Sequence, residues 1–205
     1  MRSTTSLIPA TLAALAVSAG VFAGVPSAAE DCASCHNKNG ISDDEDVPII
    51  AGASAFFLEN QMFIFKEGAR PCGTEEFAEE AHKGIAESHC DLAKQLTEKE
   101  FTELATYFAD QPFESADQKV DEDLASMGAQ IHQQSCEKCH SDGGSLVLDD
   151  AGILAGQWKG YLISTLQDYK NGDRWQPEKM QPATTALSEK DIQALAEYYA
   201  REGKK

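Results

Sequence analysis

The chain has 205 residues, 25% charged and 42% hydrophobic, and its 34 acids against 17 bases give a formal charge of −17. That balance excludes nucleic-acid binding, which needs Lys and Arg to neutralise phosphates, and docking on an anionic membrane surface. An aromatic content of 8% excludes a disordered acidic tail and predicts a folded chain of one or two domains with a lean core.

Residues 1–29 read as a secretory signal peptide. Arg2 supplies the positive start and Leu7 to Val17 the short apolar run. Small residues then allow cleavage after Ala23 or after Ala29. The alternative is an uncleaved anchor from Leu7 to Pro26, but alanine and glycine make that stretch weakly hydrophobic for a stable span. Export to the periplasm, with no membrane span in the mature chain, is the expectation.

Four of the six cysteines fall in two copies of one pattern, Cys32-Ala33-Ser34-Cys35-His36 and Cys136-Glu137-Lys138-Cys139-His140. C-x-x-C-H is the attachment signature of c-type haem. Two thiols on one helical turn can each add to a vinyl group of the same porphyrin, and the histidine that follows is placed to bind its iron. Half a zinc site or a redox dithiol would also use a single C-x-x-C, but two full copies in an exported chain predict two covalent haem c groups.

The copies extend well beyond the motif. At an offset of 104, Ile50-Ala51-Gly52 falls on Leu154-Ala155-Gly156, Phe57-Leu58 on Tyr161-Leu162, and Arg70 on Arg174. The match resumes at an offset of 91, with Leu96 to Lys99 on Leu187 to Lys190 and Tyr107-Phe108 on Tyr198-Tyr199. The difference is an insertion in the first copy between Arg70 and His89. The expected organisation is a first domain over 30–112, a polar linker over 113–123 and a second domain over 124–205.

Within each copy the pattern is helical. Ala53 to Lys66 and Gln157 to Lys170 carry apolar residues at three-to-four spacing. The last helices open with Thr97-x-x-Glu100, a capping box, and Ser188-x-x-Asp191, close to one. Copies of this size sit near the lower limit for a useful core, and a covalent porphyrin would supply much of the missing apolar interior.

Over residues 30 to 201 the chain resembles the dihaem cytochromes of the cytochrome c4 type. Besides the motifs, this rests on Pro48-Ile49-Ile50-Ala51-Gly52 and Ile153-Leu154-Ala155-Gly156-Gln157-Trp158. Gly128-Ala129-x-x-His132 leading into the second motif makes it most similar to the cytochrome subunit of flavocytochrome c sulfide dehydrogenase. The resemblance implies an all-α fold of two tandem class-I cytochrome c domains related by a pseudo-two-fold. It also implies electron transfer between two haems fixed by Cys32, Cys35, Cys136 and Cys139, with His36 and His140 on the irons. Met180 stands where the family places its distal methionine. The repeat maps Met180 onto His89, so the first copy departs from the family and His89 is its expected sixth ligand; Cys90, His82 and an open iron are the alternatives. Met62 maps into a helix and reads as core.

Cys72 and Cys90 bracket the insertion, and an oxidising compartment predicts a disulfide between them. It would close a loop of about 18 residues and stabilise by roughly 3 kcal/mol in the chain-entropy model; two free thiols are the alternative. The expected function is electron transfer, with an FAD-containing sulfide dehydrogenase subunit as donor. A carrier to a terminal oxidase is the alternative, as is a haem enzyme such as a thiosulfate dehydrogenase.

Overall fold

The computed structural model describes residues 25–73 and 88–203. Most of the signal-peptide reading, His82 and the greater part of the insertion lie outside the described residues. The helices are α1 (Ala29–His36), α2 (Ala55–Lys66), α3 (His89–Gln95) and α4 (Glu98–Ala109), then α5 (Glu122–Ser135), α6 (Ser141–Gly144), α7 (Lys159–Asn171), α8 (Gln181–Thr185) and α9 (Glu189–Glu202). No strand occurs among the described residues.

Helix starts follow their sequence signals. Thr97 and Ser188 each accept a hydrogen bond from the backbone three residues on, while the Glu100 and Asp191 carboxylates accept from the cap's own backbone N–H, so both boxes are complete. Asp191 is shorter than the usual Glu by a methylene and still reaches. In the first half Leu58, Leu92, Phe101, Leu104 and Phe108 form the core, with Met62 and Phe63 packed against it. In the second half Leu162, Ile192, Leu195, Tyr198 and Tyr199 do the same.

The repeat is visible in the backbone. Ile50 and Ala51 both donate to the carbonyl of Gly40, and Leu154 and Ala155 both donate to that of Gly144. Gly40 and Gly144 hold φ of 79° and 81°, a left-handed conformation that favours glycine. The copies part at their first helices. α5 crosses α9 so closely that a Cβ on Gly128 would land on the carbonyl of Ala194. The repeat equivalent of Ala194 is Glu103, which stays exposed on α4 and pairs with Lys99 at 2.6 Å.

The polar linker expected over 113–123 is packed between the halves in its first part, and its last two residues open α5. Ala116 is buried with Ile49 and Ala51 in a third small core that Phe113 and Trp158 flank. The side chain of Gln157 accepts from the backbone N–H of Ile49 at 2.8 Å and donates to its carbonyl at 2.9 Å. The Trp158 indole donates to Ser42 Oγ at 3.1 Å. These bonds seat the two halves against each other.

Candidate haem-binding centres

α1 carries Cys32, Cys35 and His36 together. His36 Nδ1 lies 2.9 Å from the carbonyl of Pro48, so Nδ1 carries the proton and Nε2 keeps its lone pair. His89 opens α3, whose N-terminus Ser88 caps. Its backbone N–H donates to the carbonyl of Cys72 at 2.9 Å, and Cys72 and Cys90 form a disulfide. That bond removes the Cys90 sulfur as a candidate thiolate ligand. The His89 ring stacks on Phe65 at 4.7 Å and faces His36 with 6.4 Å between ring centroids. Two imidazole nitrogens each about 2 Å from one metal put their centroids roughly 6 Å apart. The spacing suits one iron between two rings.

In the second half Cys136 terminates α5, and Cys139 and His140 turn back on it, both donating to the Cys136 carbonyl at 3.0 Å. His140 Nδ1 is buried without a hydrogen-bond partner. Met180 stands half-buried at the head of α8, ahead of Pro182. A cavity of about 450 Å³ separates the residues before Cys136 (Ile131, Gln134, Ser135) from those around Met180 (Lys179, Pro182, Ala183). The structure shows a direct ring contact for His36 and His89 and none, among the described residues, joining His140 to Met180.

Electrostatics favour metal-ready imidazoles. Burial lowers the His36 ring below its usual range, and burial with His36 and Arg70 nearby brings His89 down to about 3. Burial also lowers His140, with His132 adding to it. All three stay neutral, the state an iron ligand requires. The thiols go the other way: burial and Asp31 push Cys32 up to about 12, and burial raises Cys136. A redox dithiol needs a depressed thiol pKa, so that chemistry is disfavoured here.

A cluster that sequence reasoning did not interpret lies where the halves meet. Arg70 and Arg174, repeat equivalents, both donate to Oε1 of Gln61 at 2.7 Å. Arg174 is 3% exposed, and the Nε of each guanidinium is buried without a partner. Burial and the neighbouring Arg174 bring Arg70 down to about 10. Burial alone would raise Tyr161, but Arg174 and Arg70 hold its phenol at about 7. Two enclosed cations sharing a neutral amide and a phenol want an anion, and the two carboxylates that each porphyrin carries have that chemistry. The signal in the sequence was the arginine repeated at the offset of 104.

The comparisons with known proteins agree. The family model described as "Cytochrome C oxidase, cbb3-type, subunit III" matches residues 123–198. Cytochrome c4 of Azotobacter vinelandii is 27% identical, with 95% of each chain covered. A "thiosulfate dehydrogenase electron acceptor" of Stutzerimonas stutzeri is 28% identical over 89% of this chain and 83% of its own. The solved cytochrome c4 of Acidithiobacillus ferrooxidans superposes with a TM-score of 0.69 at 26% identity, covering 83% of this chain and 98% of that one. The two-domain helical fold, the motifs and similarity to relatives over most of its length make the chain a cytochrome c4-like electron carrier, with the all-helical fold of two class-I cytochrome domains and covalent haem c implied by those relatives.

Proposed function

We propose that the exported chain, a periplasmic protein after cleavage of its signal peptide after Ala23 or Ala29, carries two haems and accepts electrons from a dehydrogenase of reduced inorganic sulfur. The observation behind this reading is the repeated C-x-x-C-H with His36 facing His89 across the width of one iron. Cys32 and Cys35 hold one haem in domain 30–112, and Cys136 and Cys139 hold the other in domain 124–205. His36 and His89 ligate the first iron, and His140 and Met180 the second. When bound, each haem supplies a one-electron carrier. The protein's own groups orient it, keep the imidazoles neutral, and neutralise its carboxylates with Arg70 and Arg174.

The donor is a flavoprotein sulfide dehydrogenase on the resemblance of residues 128–140, or a thiosulfate dehydrogenase on the likeness to acceptors of that enzyme. Onward transfer goes to a terminal oxidase. Stopped-flow mixing of the oxidised protein with each purified dehydrogenase and its substrate tests this. The expected result is full reduction of the haem bands by one dehydrogenase. No reduction by either, with haem intact, removes the sulfur reading and leaves a general carrier.

Arg174→Leu tests the anion cradle. An unpaired buried carboxylate costs about 3–5 kcal/mol, and its negative charge favours ferric iron. Thermal unfolding should come at lower temperature and at least one midpoint potential should fall. Unchanged unfolding and potentials would remove this role.

A further inference from the structure

Six large apolar side chains are exposed among the described residues, and three of them are consecutive: Leu146, Val147 and Leu148, the last 85% open to solvent. They lie on a loop that leaves the second motif and tightens into one turn over Val147–Asp149. The turn is anchored. The Asp149 carboxylate accepts from the Ser141 backbone N–H at 2.6 Å and from its hydroxyl at 3.3 Å. Ser141 follows His140 directly, so the apolar tip is tied to the residue beside an expected iron ligand. The apolar residue that this loop turns inward is Leu154, packed against the second core. Cys139 is exposed as well, whereas both motif cysteines of the first half are half-buried.

The first copy is built differently at the same register. Ser42, Asp43 and Asp44 stand where the second has Leu146, Val147 and Leu148. That acidic loop is closed onto the other half: the Trp158 indole reaches Ser42, and the Tyr161 N–H donates to the Glu45 carbonyl at 2.9 Å. Gly160 permits the approach, since a Cβ there would lie 2.6 Å from the same carbonyl oxygen. The repeat equivalents of Trp158 and Gly160 are Ser54 and Phe56. Ser54 caps α2, and Phe56 is 63% exposed. Gly152, at the end of the apolar loop, sits so near the Phe57 ring that a Cβ would lie 2.8 Å from it, which brings the start of α2 to this loop. One half covers its loop, and the other leaves an apolar one open.

A contiguous apolar patch with a polar rim marks an interaction surface. Charge defines what fits it. Residues 137–150 carry four acids, Glu137, Asp142, Asp149 and Asp150, against Lys138 alone, in a chain of formal charge −17. The complementary surface is an apolar spot ringed by Lys and Arg.

We propose that Leu146, Val147 and Leu148, with Phe56, form the surface on which the second haem hands its electron to an acceptor protein whose redox centre opens through an apolar spot ringed by basic side chains. This rests on the reading of a haem at Cys136 and Cys139 with Met180 on its iron. Thioether ligation favours ferrous iron, so electrons collect at that centre and leave from it. The step is outer-sphere: ferrous haem becomes ferric, the acceptor's centre gains one electron, and no bond forms or breaks.

The test is stopped-flow mixing of the reduced holoprotein with oxidised mitochondrial cytochrome c, a basic protein with a lysine-ringed haem edge. Leu148→Ser and Leu148→Asp should each slow second-order transfer about tenfold, the loss of one anchor at an interface. Leu148→Asp adds an acid towards a basic probe, so charge alone would speed it. Asp150→Lys should slow transfer more than Asp44→Lys, the same charge change on the covered loop. Ferricyanide, which needs no docking face, should oxidise Leu148→Ser at the wild-type rate, and Trp175→Ser should leave both rates unchanged. Wild-type transfer in both Leu148 variants, or equal slowing by the two charge reversals, overturns the proposal. So does slower reduction by a dehydrogenase with unaltered oxidation, which gives the patch to the donor. A wild-type dimer that Leu148→Asp makes monomeric gives it to a second copy, and haem loss in Leu148→Ser makes it a haem cover; both overturn the proposal. A chain without haem at Cys136 and Cys139 would instead refute the reading beneath it.

Discussion

His89→Met should raise the midpoint potential of the first haem towards that of the second, by a part of the roughly 0.8 V that axial ligands span. Imidazole donates strongly and favours ferric iron, whereas thioether favours ferrous. In the wild type the first haem should therefore titrate at the lower potential, with electrons running from it to the second. His89→Ala should go further and leave the first haem high-spin and open to cyanide. The ring sits on Phe65 and faces His36, and the Cys72–Cys90 disulfide holds its backbone, so among the described residues no neighbouring side chain replaces it. Absorption and EPR spectra read both variants. A low-spin, cyanide-inert first haem in His89→Ala would assign the ligand elsewhere.

Cys136→Ala with Cys139→Ala should give a protein of one haem by intact mass, with the first haem's spectrum unchanged. The second core would then lose its porphyrin. A porphyrin buries more apolar surface than a Phe or Trp side chain, so the loss should exceed the roughly 3–5 kcal/mol of deleting one of those. Thermal unfolding followed at the first haem and by far-ultraviolet circular dichroism should separate into two transitions, the earlier from the second half. Two haems by mass in this variant would contradict attachment at these cysteines.

Much of the molecule is written in local pattern. Capping boxes at Thr97 and Ser188 act within one turn, so their residues announce the helix starts directly. The repeat offsets of 104 and 91 carry Gly40 onto Gly144 and Phe108 onto Tyr199, and the backbone bonds repeat with them. The motif histidines and cysteines stand out because covalent attachment demands a rigid spacing.

What the sequence hid depends on partners distant in the chain. The segment around Ala116 looks like a polar tether, since most of its residues are polar; only packing against Ile49, Ala51 and Trp158 makes it core. Arg70 and Arg174 show in the sequence only as a repeated pair, and folding encloses both beside Gln61 and Tyr161, 100 residues apart. His132 and Tyr199 stand 67 positions apart and meet only because Gly128 lets α5 close on α9.

The sequence by itself therefore determined the cofactor chemistry, the duplication and the all-helical class, because each rests on spacing within a turn or on a repeated register. The tertiary structure alone decided that His89 faces His36, that two cations share one buried site, and that His132 beside the second motif pairs with Glu137 and Tyr199. Those are properties of groups made neighbours by packing, and burial sets their charge and hydrogen bonding only after the chain has closed around them.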